Sequence, residues 1–519
     1  MNKNIIDFFE NTIKKKKNDI AVSSYGENYT FSYIEKKAKL LAREILTCKN
    51  INNMPIGVLL KKSHNTVISD IGIAYSGNAF MNMDIKTPKD RLVSIIENIK
   101  PLIIITDENS YLLTEAVSKI CKNKFYIINI DNILVDNYDG DEKEINLAIR
   151  SVYNKVIDTD MSCIINTSGS TGTPKGVALN SKSFFDFVDW SLETFEFNEN
   201  TVIGSLSPSV FDIYVFELWL MAKVGAKIVI LDESMSMFPI KLLEQIKKEK
   251  VSFIFWVPSI MVNIANMDLL SRLSLDSLSL IWFAGEVFPT KQFNYWKRFL
   301  PDAKFVNLYG PIEITLDCTY YIIEREFNDD EPLPIGYPCN NTDVLILNNE
   351  NNLCKPNEEG ELCVRGTSLA LGYYNDFEKT TKVFTQNPLN KVYPEIIYRT
   401  GDLVYINDLG EIIFKGRKDS LIKRMGYRIE LGEIEHIITN QLGIVKYCCA
   451  VYKVETKEII LFYENNNEIS IENFRKKLSN VFPKYMLPDR FVRTDKLPQN
   501  TNGKIDRQKL KEMVNDDEL

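Results

Sequence analysis

The stretch CIINTSGSTGTPKGVAL, residues 163–179, decides the reading of this chain. It starts as an apolar run, Cys163-Ile164-Ile165, of the kind that forms a buried strand. It then breaks into Thr167, Ser168, Gly169, Ser170, Thr171 and Gly172, followed by Pro174, Lys175 and Gly176. Glycine reaches positive φ, so successive backbone N–H groups in such a loop can converge on phosphate oxygens; the hydroxyls add donors and Lys175 adds positive charge. The loop is therefore expected to cradle an anion. The order is not G-x-x-x-x-G-K-[ST], so a Walker-type NTPase is not indicated. Taken alone, the segment also reads as a plain Ser/Gly surface loop.

Around this stretch, β-branched runs alternate with helical patterns: PIGVLL, PLIIIT, AKIVIL and VSFIFW are strand-like, which reads as an α/β fold with a mostly parallel sheet. TPKDRLVSIIENIK is expected to be a helix, with Thr87 as its cap, Pro88 first, and Leu92, Ile95, Ile96 and Ile99 on one face. After Arg417 the texture changes to short strands and a helix near Ile471–Leu478, predicting a compact α+β unit of about 100 residues. The expected division is a core over 1–416 and a smaller mobile domain over 417–519.

Length and composition set the limits. The 519 residues allow about three domains or fewer. With 62 Lys+Arg against 70 Asp+Glu the net charge is −8, so no basic field for nucleic acid or anionic lipid is expected. No apolar run is long enough for a signal peptide or a membrane span, and a cytoplasmic protein is expected. None of the nine cysteines is paired at C-x-x-C spacing, and all are read as free thiols. The two histidines, His64 and His436, leave little for zinc sites or His-based triads.

Further motifs follow the loop in order: NLYGPIE (307–313), GELCVRG (360–366), YRTGDL (398–403), GRKDSLIKRMGYRIELGEIE (416–435) and NTNGKIDR (500–507). Together they resemble the adenylate-forming superfamily, specifically amino-acid adenylation domains and stand-alone D-alanine–carrier protein ligases. The resemblance spans nearly the whole chain, and GEVFP (285–289) looks like the D-alanine ligase branch. It implies a large N-terminal α/β domain, a small mobile C-terminal one, and a reaction in which ATP activates an amino acid before transfer to a phosphopantetheine thiol.

By that resemblance, Lys175 and its loop hold the β- and γ-phosphates of ATP and Glu313 holds Mg2+. Asn307, Tyr309 and Gly310 lie at the nucleotide, and Asp402 accepts the ribose hydroxyls beside Arg417. Lys504 bridges the substrate carboxylate and the α-phosphate. Asp419 is the hinge, and Gly426 lies in the loop presented for thioester formation. Ile312 departs from the pattern, which usually has Thr there, so one phosphate-contacting hydroxyl is missing.

Asp212 is the single carboxylate between SPSV and the apolar run IYVFELWLMA, and burying it unpaired would cost several kcal/mol. The resemblance makes it the partner of the substrate's α-ammonium; its other reading is a helix cap. Ile213, Phe216, Phe255, Trp282, Ala284, Leu308, Leu316 and Asp317 complete the expected amino-acid pocket, whose bulky lining favours a small substrate. No carrier-like segment follows Leu519, so the expected acceptor is a separate phosphopantetheinylated carrier protein. An acyl-CoA or aryl-CoA ligase and a noncatalytic nucleotide-binding module are the competing readings.

Overall fold

The computed structural model describes residues 4–49, 51–134, 142–167, 174–418, 421–445, 447–464, 470–498 and 505–515. Two large sheets form the body. One has seven strands, in which Met161–Thr167, Ala79–Met83, Pro55–Leu59, Ile103–Thr106 and Tyr126–Asn129 run parallel. Lys175–Asn180 returns antiparallel beside Met161–Thr167. The central strands are buried along their whole length, as expected for parallel strands covered on both faces. The second sheet has nine strands with a parallel centre, Lys304–Tyr309, Leu280–Phe283, Phe253–Trp256, Val202–Ser205, Lys227–Ile230 and Ile20–Ser24.

The helix Asp212–Val224 packs between the layers. Every residue from Ile213 to Ala222 is buried, so the helix is enclosed on all sides with Glu217 as the one acid in that run, and Gly225 ends it at φ +78°. The expected helix near Thr87 runs Lys89–Ile99 with Leu92, Ile95, Ile96 and Ile99 buried. Thr87 does not cap it: Pro88, held extended at ψ 144°, takes the cap position without a side-chain bond, while the Thr87 N–H donates to the Asp84 carbonyl.

A smaller antiparallel sheet of five strands ends in Ile412–Arg417. Beyond it come a hairpin, Leu421–Arg424 with Tyr427–Glu430, and a three-stranded sheet flanked by the helices Ile471–Ser479 and Arg507–Asn515. The change of sheet falls between Arg417 and Leu421. All nine cysteines are unpaired. Among the described residues, no helix is long and apolar enough to cross a membrane.

Candidate active site

A cavity opens where the C-terminal ends of strands from both large sheets meet the hairpin. Ile165, Asn166 and Thr167 end one strand on it; Phe211, Asp212 and Ile213 start the buried helix on it; Gly310–Ile312 and Leu316–Asp317 follow the strand Lys304–Tyr309. The hairpin contributes Lys423, Gly426, Tyr427 and Arg428.

Asp212 is the first residue of its helix but caps nothing: its Oδ1 accepts the neighbouring Ile213 N–H at 3.0 Å, and the Leu316 N–H faces the carboxylate. It has no ion-pair partner among the described residues. Burial pushes its carboxyl up to about 6, against the pull of those main-chain donors and of Lys423.

The expected pocket residues divide into two groups. Asp212, Ile213, Ala284, Leu316 and Asp317 line the cavity. Phe216, Phe255, Trp282 and Leu308 do not; each is at most 2 % exposed and lies behind the wall. The reason is aromatic packing: Trp282 stacks on Phe216 at 5.3 Å and 14°, with the Phe255 ring edge-on at 5.5 Å. The rings fill the space behind the cavity wall.

Glu313 is 1 % exposed, and both its oxygens are engaged, Oε1 by the Tyr373 hydroxyl at 2.7 Å and Oε2 by Arg428 at 2.5 Å. Burial would raise this carboxyl, but Arg428 and Tyr373 bring it below its ordinary range. Lys175 reaches Glu430 of the same hairpin at 2.6 Å. The hairpin is also fixed by the Gly426 N–H, which donates to Glu286 at 3.0 Å, and by Tyr427, packed edge-on against Phe211 at 4.7 Å. Gly426 has φ +79°, and a Cβ there would come within 2.7 Å of Val257. Glycine is thus required by close approach to the core wall. One step further out, Arg91 pairs with the fully buried Glu433 at 2.6 Å.

Tyr309 donates its hydroxyl to Asp402, which also pairs with Arg417, so these three expected nucleotide residues meet. Asn307 is brought to a different partner: its amide donates to the Pro334 carbonyl at 2.7 Å. Ser168, Gly169, Ser170, Thr171, Gly172, Asp419 and Lys504 lie outside the described residues. Neither His64, stacked on Tyr29 at 3.8 Å, nor His436 lines the cavity.

The sequence alone assigns no role to Lys423, Arg428, Glu430 or Asn166. Asn166 lines the cavity with both amide atoms unbonded. The first three stand inside the quoted GRKDSLIKRMGYRIELGEIE motif, but their partners lie more than a hundred residues away.

Residues 9–374 match the family described as AMP-binding enzyme. The chain belongs to the AMP-binding enzyme family. It is similar to Zwittermicin A synthase ZmaJ of Bacillus cereus, 30% identical over 97% of this chain and 93% of that protein. It is 29% identical to Gramicidin S synthase 1 of Brevibacillus brevis over 98% of this chain, which spans 44% of that longer protein. The fold matches the Vibrio cholerae adenylation domain AlmE, solved in complex with glycyl-adenosine-5'-phosphate, at a TM-score of 0.84 and 19% identity, over 99% of this chain and 98% of that one. In this AMP-binding enzyme, Lys175 with Glu430 and Glu313 with Arg428 are the two ion pairs by which the hairpin meets the core.

Proposed function

We propose that this enzyme joins an amino acid to ATP as an aminoacyl-adenylate and then passes the aminoacyl group to the phosphopantetheine thiol of a separate carrier protein, in the cytoplasm. In the first step a substrate carboxylate oxygen attacks the α-phosphorus and pyrophosphate leaves; in the second the thiolate attacks the acyl carbon and AMP leaves. The observation that carries this reading is Asp212, a carboxylate on the cavity wall with main-chain donors but no ion-pair partner among the described residues. An α-ammonium supplies the missing charge. An acyl-CoA or aryl-CoA ligase substrate would bring none.

In this reading Lys175 and the loop from Thr167 to Gly172 hold the phosphates, Tyr309, Gly310, Asp402 and Arg417 hold the nucleoside, and Lys504 bridges the carboxylate and α-phosphate. The Glu313 carboxylate is a hard oxygen donor of the kind Mg2+ takes, but both its oxygens are engaged here, so Arg428 must withdraw first. When bound, Mg2+ neutralises charge on the phosphates. The hairpin position described, with Gly426 against the core, suits the second step, in which the phosphate-binding groups have been vacated.

The test is Mg2+-dependent exchange of pyrophosphate into ATP across a panel of D- and L-amino acids. Exchange with at least one is expected; folded protein giving none overturns the reading. Lys504→Ala is expected to lower exchange by about two to three orders of magnitude, the scale of a preorganised charge contact, while preformed adenylate is still transferred.

A further inference from the structure

Asp317 is a second carboxylate on the same wall, and neither proposed step uses it. It is 4 % exposed, lines the cavity, and has no hydrogen-bond or ion-pair partner among the described residues. Its position is built into the backbone. Thr315 and Leu316 turn the chain at φ +54° and +67°, left-handed values that cost energy for residues other than glycine. Gly310 lies so close beneath that a Cβ there would stand 2.3 Å from the Leu316 oxygen and 2.5 Å from the Asp317 Cα. The turn also brings the two acids together, because the Leu316 N–H that faces Asp212 belongs to the residue just before Asp317, and both acids line the cavity.

The charged groups facing Asp317 are Asp212 and Lys423. Among the described residues Lys423 forms no ion pair with either acid, and Arg428 is already paired with Glu313. A zwitterionic amino acid adds no net charge, so with one lysine near the two acids nothing pairs Asp317 in its ionised form. A substrate with a second cation supplies that partner. Burial and Asp212 hold the Asp317 carboxyl well above the usual carboxylate range, and a cation at hydrogen-bond distance is what would bring it down. The reach is short: Asp317 is adjacent to the α-ammonium site, and the stacked Phe216 and Trp282 close the depth behind.

We propose that the amino acid activated here is a short diamino acid, such as 2,3-diaminopropionate or 2,4-diaminobutyrate, with Asp212 holding the α-ammonium and Asp317 the second ammonium. The inference rests on amino-acid adenylation being the activity. It is tested by pyrophosphate exchange with the full chain and these two diamino acids beside alanine, serine, 2-aminobutyrate, ornithine and lysine. The short diamino acids are expected to exceed neutral 2-aminobutyrate by about tenfold or more in kcat/KM, the scale of one charge-assisted contact, and Asp317→Asn is expected to abolish that advantage. Alanine, serine or 2-aminobutyrate as the best substrate overturns the inference and leaves adenylation standing; so does a preference for ornithine or lysine, or a diamino preference that persists in Asp317→Asn. Exchange with no amino acid overturns both. The wild-type panel separates these outcomes even where the variant fails to fold.

Discussion

On the proposed reading, a proton and a substrate ammonium compete at Asp212 for the same oxygens. Burial raises the carboxyl to about 6 and the Ile213 and Leu316 N–H groups only partly offset it, so the acid is ionised at neutral pH and neutral in mild acid. The expected consequence is that kcat/KM for the amino acid holds above pH about 6 and falls about tenfold per unit below it, while the KM for ATP stays level over the same range. An acid limb absent from the amino-acid profile would remove Asp212 from ammonium binding. That an acid at the head of an apolar segment needs donors was legible in the sequence; its place on the cavity wall came from the fold. Asn307 was not legible in the same way. Its motif placed it at the nucleotide, but which way an amide points is settled by tertiary neighbours, here the Pro334 carbonyl.

The hairpin shows how a two-residue period becomes a device. Arg428 and Glu430 stand two apart on the strand Tyr427–Glu430, so both side chains leave the same face, and that face meets Glu313 and Lys175. Glu430→Gln removes one of the two contacts. It is expected to slow carrier loading by about tenfold, through a less populated hairpin position, while pyrophosphate exchange is unchanged or faster. A variant slowed equally in exchange and loading would show that Glu430 does not act through this position. The strands PIGVLL, AKIVIL and VSFIFW were legible because apolar β-branched runs of four to six residues leave few alternatives. The helix start differs from the expected one by a single cap position, because Thr87 and Pro88 compete for it and the extended proline takes it. Which partners the hairpin meets was illegible, because the two contacts span 255 and 115 residues of chain.

Across the molecule, the core beneath the cavity holds titratable groups that the reaction does not use. Asp70, fully buried, accepts from Asn82 at 3.1 Å and from the Tyr214 hydroxyl at 2.9 Å, and burial raises it to about 7. Glu217, beside Ser205 and Lys62, is likewise raised to about 7 by burial. An acid whose folded pKa lies above its unfolded value favours the fold below the unfolded pKa and loses that contribution as pH rises through the folded one. For Asp70, raised from 3.8 to about 7, the full loss, complete only above pH 7, is about 4 kcal/mol. Asp70→Asn is therefore expected to melt close to wild type at pH 4 and several degrees higher at pH 8; an equal offset at both pH values would exclude Asp70 as the source. The α/β layering and the smaller C-terminal unit were legible from element order, whereas the partners of these internal acids, Asn82 and Tyr214 for Asp70 and Ser205 for Glu217, were not. The double contact of the hairpin with Lys175 and Glu313 also bears on the order of events in turnover. On the proposed reading the same two side chains cannot serve the pyrophosphate and the hairpin at once, so pyrophosphate has to depart before the thiol is received. Initial-velocity plots of ATP against carrier protein should consequently give parallel lines, the signature of a ping-pong sequence, and added pyrophosphate should inhibit in competition with the carrier; intersecting lines would mean that both can be held together.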